Sequence, residues 1–209
     1  MSGKVAIAPN SLIIGGMEIS YLLGIAAGLV MVPGAYSYLR GIIKGDVHPH
    51  LFSWLIWGIV TAIGFTAQIT ENAGPGAWIT LVNCCFCLSV AALSLKYGEK
   101  HITRTDWMAF VGALSAIPLW IITDSPFWSV IIVTAIDAIA FWPTIRKSWL
   151  KPFEEGLYPY ICSVIAFVLA LAAMHEITFI TSFYPFVLVL LNAVFVMMVF
   201  VRRKRTPVA

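Results

Sequence analysis

Residues 33–40 read PGAYSYLR, and residues 143–147, which begin 110 positions later, read PTIRK. The same spacing recurs elsewhere in the chain: Pro33 with Pro143, Pro49 with Pro159, Pro75 with Pro185, and Ser53 with Ser163. The chain holds 11 prolines in 209 residues. At one such spacing, about 0.3 proline pairs would coincide by chance, so three pairs indicate an internal duplication.

The composition of the chain is that of a membrane protein. Hydrophobic residues make up 60% of it, charged residues make up 11%, and the mean hydropathy is +0.91. These values exclude an ordinary soluble domain. Seven apolar stretches are long enough to cross a hydrocarbon core of about 30 Å: roughly 17–39, 51–70, 77–95, 107–123, 127–145, 157–174 and 177–201. We therefore predict an all-α integral membrane fold of seven transmembrane helices.

The duplication and the helix count together predict how the helices are grouped. Helices one to three match helices five to seven, and helix four, which carries Pro118, has no counterpart. Since three helices and one linker make an even number of crossings, both copies face the same way across the membrane. The expected domains are a triple-helix bundle (12–97), a linker helix (98–124) and a second triple-helix bundle (125–205). This is a parallel 3-1-3 arrangement.

The basic residues predict the orientation in the membrane. One side collects nearly all of them: Arg40, Lys44, Lys96, Lys100, Arg104, Arg146, Lys147, Lys151 and the RRKR run at 202–205. Only Lys4 falls on the other side. By the positive-inside rule, the amino terminus is outside and the carboxyl terminus is cytoplasmic. The net charge of +3 therefore reflects topology and does not indicate nucleic-acid binding.

The proline-containing segments resemble a known motif. Residues 33–40 are followed by PHLFSW at 49–54, and in the second copy 143–147 is followed by PYICS at 159–163. This pattern resembles the PQ-loop of the SWEET and semiSWEET sugar transporters. The glutamine of that motif is Gly34 in one copy and Thr144 in the other, so the resemblance is to a divergent member. It implies a transporter that works by alternating access between two bundles.

Four prolines lie near predicted cytoplasmic helix ends: Pro33, Pro49, Pro143 and Pro159. A proline inside a helix removes one backbone hydrogen bond and clashes with the carbonyl one turn earlier, so the helix bends there. The resemblance implies that these four prolines form the hinge for alternating access. The alternative is that Pro49 and Pro159 only open their helices at the first turn, where proline is tolerated.

Two asparagines within apolar helices are candidates for a substrate site, because an amide is costly in the bilayer unless it faces protein or water. Asn83 and Asn192 match at a spacing of 109, one short of the proline spacing. The resemblance implies that they contact the substrate, and amides suit hydroxyl-rich or amide-bearing ligands. The alternative is an interhelical hydrogen bond that holds each helix to its neighbour.

Trp57 and Phe167, which are 110 positions apart, are aromatic candidates for the same site. Their rings could stack on the apolar face of a sugar or a heterocycle, and the resemblance implies a combination of tryptophan and asparagine in the site. The alternative is that both rings belong to the core or face lipid.

Asp137 lies near the centre of the fifth helix, at a position where the first copy has Ala27. No Lys or Arg lies at a comparable depth, so an ionised Asp137 would lack a salt-bridge partner. We expect the carboxyl group to be protonated or solvated by a polar cavity. It would then serve for proton coupling or as an anchor for a cationic substrate group. A structural carboxylic acid, hydrogen-bonded to a nearby helix, is the third possibility.

Motifs for other chemistry are missing from the sequence. It contains no phosphate-binding glycine loop, no HExxH and no GxSxG, so we expect neither an enzyme nor a cofactor. Cys84, Cys85, Cys87 and Cys162 lie in apolar helices and read as small buried residues. A metal site is not expected either, although His48 and His50 flank Pro49 near Asp46.

These patterns predict a facilitator that moves a small polar solute, resembling a sugar, a vitamin or an amino acid. The alternative is a membrane receptor or sorting protein of the same fold, which binds its ligand without translocating it. The expected partners are the solute and the lipid bilayer, and a homo-oligomer is left open. The absence of N-x-S/T acceptors fits a prokaryotic inner membrane.

Overall fold

A computed structural model describes residues 13–14, 17–122 and 125–206. Parts of the predicted topology and domain bounds fall on residues outside this description: Lys4, residue 12 and residues 123–124. Seven α-helices account for most of the described chain: α1 (Ile19–Lys44), α2 (Leu51–Thr70), α3 (Trp78–Tyr97), α4 (Arg104–Ile122), α5 (Pro126–Leu150), α6 (Tyr158–Ala172) and α7 (Phe179–Arg205). A short 3-10 helix, Gly74–Ala77, leads into α3.

Four of these helices are long and apolar enough to cross a membrane: α1, α2, the combined segment Gly74–Tyr97, and α7. The apolar helix α6 is shorter, with 15 residues. The coarse prediction of an all-α, membrane-embedded protein is therefore confirmed. A two-residue antiparallel strand pair, β1 (Ile13–Ile14) with β2 (Met17–Glu18), precedes α1 and was not predicted.

The helices extend further than the apolar stretches at the ends where basic residues lie. Helix α1 continues to Lys44 and ends at Gly45, whose φ of 83° is the left-handed conformation that suits glycine at a helix end. Helices α5 and α7 likewise run through their basic residues to Leu150 and Arg205. Basic side chains stabilise the last turn of a helix, where the helix dipole is negative, so hydropathy alone ends these helices too early.

The packing of the helices follows the same plan in each half of the chain. Helix α3 packs against both α1 and α2, and α7 packs against both α5 and α6. Across the two halves, α1 packs on α6 and α2 packs on α5, while α4 lies against α5. A glycine makes the α1–α6 contact close, because a Cβ atom at Gly34 would lie 2.9 Å from the Cys162 Cβ and 3.1 Å from the Pro159 Cα.

Most of the basic residues that predicted the orientation gather at one end of the bundle, which we call the basic end. There the Lys151 Nζ lies 3.1 Å from Glu99 Oε2, and an Arg146 nitrogen lies 2.7 Å from Asp106 Oδ2. The hydrogen bond with Glu99 raises the pKa of Lys151. These contacts hold the ends of α3, α4 and α5 together on one face.

Candidate functional site

All five residues predicted to bind substrate line one cavity among the helices: Trp57, Asn83, Asp137, Phe167 and Asn192. They come from five different helices, α2, α3, α5, α6 and α7. Side chains that the sequence analysis did not single out contribute to the walls: Trp54, Phe86, Phe141, Tyr160, Ser163 and Leu188. A concave site with many aromatic and apolar groups and a few convergent polar groups is typical of small-molecule sites. The substrate-binding role of the five residues stays a prediction.

Asp137 is the most constrained polar group of the cavity. Its side chain is only 1% exposed, and its Oδ1 accepts a hydrogen bond of 3.2 Å from the Tyr184 hydroxyl. Its Oδ2 is buried and has no protein partner among the described residues. A buried carboxyl oxygen without a partner is costly, which favours a role in holding a proton or a ligand.

The two asparagines differ in their contacts. The Asn192 Nδ2 donates to the Leu188 carbonyl, one turn earlier in the same helix, at 2.7 Å. Asn83 is half-buried and forms no side-chain hydrogen bond within the described residues. Within the described part of the chain, therefore, neither amide makes the interhelical hydrogen bond that was the alternative to substrate contact. Both retain hydrogen-bonding atoms that a ligand can use.

Aromatic rings build the wall of the cavity towards the basic end. The rings of Trp54 and Trp57 lie 5.1 Å apart, and that of Trp57 lies 4.7 Å from Phe141. The Trp57 indole nitrogen donates to the Asp137 carbonyl at 3.2 Å, which ties α2 to α5 beside the cavity. The Trp54 indole nitrogen is buried without a partner among the described residues, so it is free to donate to a bound solute.

The cavity is narrow in this conformation. The volume open to the centres of water molecules is about 30 Å³, which corresponds to two or three waters. A sugar or a vitamin needs more room than that. Binding such a solute therefore requires the helices around the cavity to move apart.

The four predicted hinge prolines occupy two different positions in their helices. Pro33 lies inside α1 and Pro143 lies inside α5, where each removes a helical hydrogen bond. Pro159 lies in the first turn of α6, and Pro49 precedes the residue that caps α2. The bending argument therefore applies to Pro33 and Pro143. Pro159 takes the alternative position in the first turn of its helix, whereas Pro49 lies outside α2, before its capping residue. The hinge role stays a prediction for all four.

A buried ion pair lies between the cavity and the basic end, and sequence reasoning missed it. The Lys147 Nζ contacts Glu155 Oε2 at 2.5 Å and also donates to the His48 carbonyl at 2.8 Å. The other carboxyl oxygen of Glu155 accepts hydrogen bonds from the hydroxyls of Tyr38, at 2.5 Å, and Tyr160, at 3.3 Å. We call Tyr38, Lys147, Glu155 and Tyr160 the basic-end cluster.

The basic-end cluster joins four parts of the chain. Tyr38 comes from α1, Lys147 from α5, Glu155 from the connection that follows α5, and Tyr160 from α6. Tyr160 also lines the central cavity, so the cluster closes directly onto the site. In the sequence, Lys147 is one of the basic residues that predict the orientation, and no local pattern distinguishes Glu155.

A second buried polar group stands beside this cluster. The His50 Nε2 lies 3.4 Å from Asp106 Oδ2, and both side chains are fully buried. Burial lowers the pKa of His50 in spite of the neighbouring carboxylate. Within the described residues, no group of three or more His, Cys, Asp or Glu side chains is placed to hold a metal ion.

No family model, no curated protein and no solved structure matches this chain. The resemblance to SWEET transporters therefore stays a prediction that depends on the motif segments alone.

Proposed function

We propose that this protein transports a small polar solute across a membrane by alternating access. One observation carries the proposal: a cavity enclosed by helices of both halves holds buried polar atoms that have no protein partner among the described residues, namely Asp137 Oδ2 and the Trp54 indole nitrogen. Intramembrane polar groups of this kind are expensive unless they serve a solute or a proton. A narrow cavity with the basic-end cluster over one of its ends is what we expect of a transporter that is closed at the basic end.

The proposed architecture is the 3-1-3 arrangement of two parallel triple-helix bundles with α4 as the linker. The equivalent packing of α3 and α7 within the two halves supports it, since each lies between the other two helices of its half. The contacts of α1 with α6 and of α2 with α5 support a cavity at the interface between the two proposed bundles, as in transporters built from repeats. A SWEET-like transporter in a prokaryotic inner membrane is the corresponding proposal for family and location.

In the proposed orientation, the basic end faces the cytoplasm and the amino terminus faces outward. The basic-end cluster is then the cytoplasmic gate, because the hydrogen bond from the Tyr38 hydroxyl of the first half to Glu155 of the second half connects both halves over the cavity. Opening that gate would separate Tyr38 of α1 from Glu155, which follows α5. Bends at Pro33 and Pro143 lie on these same two helices, α1 and α5, and could accommodate the movement.

The site is expected to recognise its ligand through the two asparagines. A panel of sugars, amino acids and vitamins added to the purified protein should contain a compound that raises the melting temperature. At 100 times its dissociation constant, a ligand stabilises the native state by about 2.7 kcal/mol, equivalent to roughly 5–10 °C for a chain of this size. Asn83→Ala and Asn192→Ala should each remove most of this shift, as measured by heating followed by size-exclusion chromatography.

Ser89→Ala is the matched control for the asparagine variants. Ser89 lies on α3 like Asn83, but it is exposed and its hydroxyl bonds to the Cys85 carbonyl of its own helix. This variant should keep the full ligand-induced shift. An equal shift in all three variants would show that the compound binds elsewhere and would remove the cavity as the binding site.

A further inference from the structure

A second cavity lies between α2, α5 and α7, towards the end of the bundle opposite the basic end. Gln68 and Tyr184 line it, together with Gly64 and Ile180. Gln68 is two residues from the end of α2, and Ile180 is the second residue of α7. The cavity therefore lies within the last turns of the bundle on that side, and we call it the Gln68 cavity.

The Gln68 side chain has no protein partner in the described part of the chain. It is 3% exposed, and both its amide nitrogen and its amide oxygen are buried without a hydrogen bond. Two unsatisfied polar atoms are costly in a protein interior, so such groups usually bind water or a ligand. The volume open to water centres is about 20 Å³, which suits one or two waters and excludes a sugar-sized solute.

Tyr184 connects this cavity to the central site. Its ring lines the Gln68 cavity, and its hydroxyl donates to Asp137 Oδ1 at 3.2 Å. The ring fits closely against α2 at Gly64, where an added Cβ would lie 3.1 Å from the Tyr184 Cε1. One side chain therefore separates the two cavities and bonds directly to the carboxyl group of the central one.

We propose that the Gln68 cavity binds water and that Tyr184 relays protons between this water and Asp137. In each transfer, the Tyr184 hydroxyl proton moves to Asp137 Oδ1 while the phenol oxygen takes a proton from a protonated water chain in the Gln68 cavity. One O–H bond forms for each that breaks, and Tyr184 returns to its starting state. The proposal depends on the proposed transport function and takes proton coupling, one of the roles that the sequence predicts for Asp137, as the role of this carboxyl group.

The surroundings of Asp137 favour a route through Tyr184. Among the described residues, Tyr184 from α7 bonds the Asp137 carboxyl group, Cys87 from α3 lies near it and the Trp57 indole from α2 bonds the Asp137 backbone carbonyl, and no charged side chain acts on the carboxyl group. Towards the basic end, the aromatic wall of the central cavity and the buried Lys147–Glu155 pair lie between Asp137 and that end of the bundle. Towards the opposite end, the Tyr184 hydroxyl links the Asp137 carboxyl group to the Gln68 cavity.

The test is the rate of hydrogen–deuterium exchange at the Asp137 carboxyl group in the full-length protein reconstituted in lipid. Infrared spectroscopy follows the shift of the protonated carboxyl C=O band after a change to D₂O, and Asp137→Asn assigns the band. Gln68→Leu removes the amide, and Tyr184→Phe removes the hydroxyl while keeping the ring. Each should slow the exchange about tenfold, the effect on a rate of losing one hydrogen-bonding group.

Tyr158→Phe is the matched control, because Tyr158 is half exposed at the start of α6 and its side chain lines neither cavity. It should exchange at the wild-type rate. Wild-type exchange rates in both Gln68→Leu and Tyr184→Phe would overturn the relay, as would the absence of any band that Asp137→Asn removes. If Tyr184→Phe does not fold, the exchange rate of Gln68→Leu alone decides whether the relay is correct. Solute exchange is measured on the same preparations. If only the relay is wrong, the preparations still exchange solute; if the proposed transport function is wrong, they do not.

Discussion

Lys147→Met is expected to lower the melting temperature by on the order of 10 °C. Removing one partner of a buried ion pair costs about 3–5 kcal/mol, because the remaining charge stays buried. The substitution leaves the Glu155 carboxylate with only the hydroxyls of Tyr38 and Tyr160. It also leaves the His48 carbonyl without the Lys147 amine that donates to it. Thermal unfolding in detergent, followed by the loss of the monodisperse peak, measures the effect.

Lys151→Met is the matched control on the same helix end. Its amine pairs with Glu99 and Glu154, but its side chain is 48% exposed. Exposed pairs contribute at most about 1 kcal/mol, so this variant should unfold close to the wild-type temperature. Equal melting temperatures for Lys147→Met and Lys151→Met would contradict a buried pair at the basic end.

Removing both charges of the buried pair should recover most of the stability. In the double variant Lys147→Met, Glu155→Gln, the amide oxygen still accepts hydrogen bonds from the two tyrosines, and no isolated charge remains. Replacing a whole buried pair is often neutral for this reason. Such a recovery would show that the loss in the single variant comes from the unpaired carboxylate.

Asp137→Asn is expected to abolish accumulation driven by a proton gradient while leaving solute exchange intact. If one proton moves with each solute, a gradient of one pH unit supplies about 1.4 kcal/mol and supports about tenfold accumulation. Asparagine keeps an oxygen to accept from Tyr184 but cannot bind and release the proton. Wild-type proteoliposomes should therefore concentrate the labelled compound under an imposed gradient, and the variant should only equilibrate it. Equal accumulation with the wild-type protein and the variant would show that Asp137 does not couple transport to protons.

The positions of the helices could be predicted from the sequence because they depend on local features. Apolar stretches of membrane-spanning length indicated each of the seven helices, and Trp57, Asn83, Asp137, Phe167 and Asn192 meet at one cavity. The paired spacing in the sequence identified four of these five, because the predicted duplication matches Trp57 with Phe167 and Asn83 with Asn192. Asp137 was recognised by the cost of a carboxyl group in an apolar helix.

Features that depend on tertiary contacts could not be predicted in the same way. Lys147 belongs to a basic run, and nothing local distinguishes it from Arg146, which bonds Asp106 nearer the surface. The contacts of Glu155 and Tyr184 could not be predicted, because they depend on the tertiary packing that buries each side chain beside its partner. Trp54 offered one signal, since it lies three residues before Trp57 and so shares its helix face. The sequence does not say whether that face meets lipid or a cavity.

The most direct test of the transport account is counterflow in proteoliposomes. The compound with the largest thermal shift is loaded unlabelled inside the vesicles, and a trace of labelled compound is added outside. Alternating access predicts that label enters transiently above its equilibrium level in vesicles with the wild-type protein and not in protein-free vesicles. Saturable binding of the same compound without any entry of label would contradict transport and favour a receptor of the same fold.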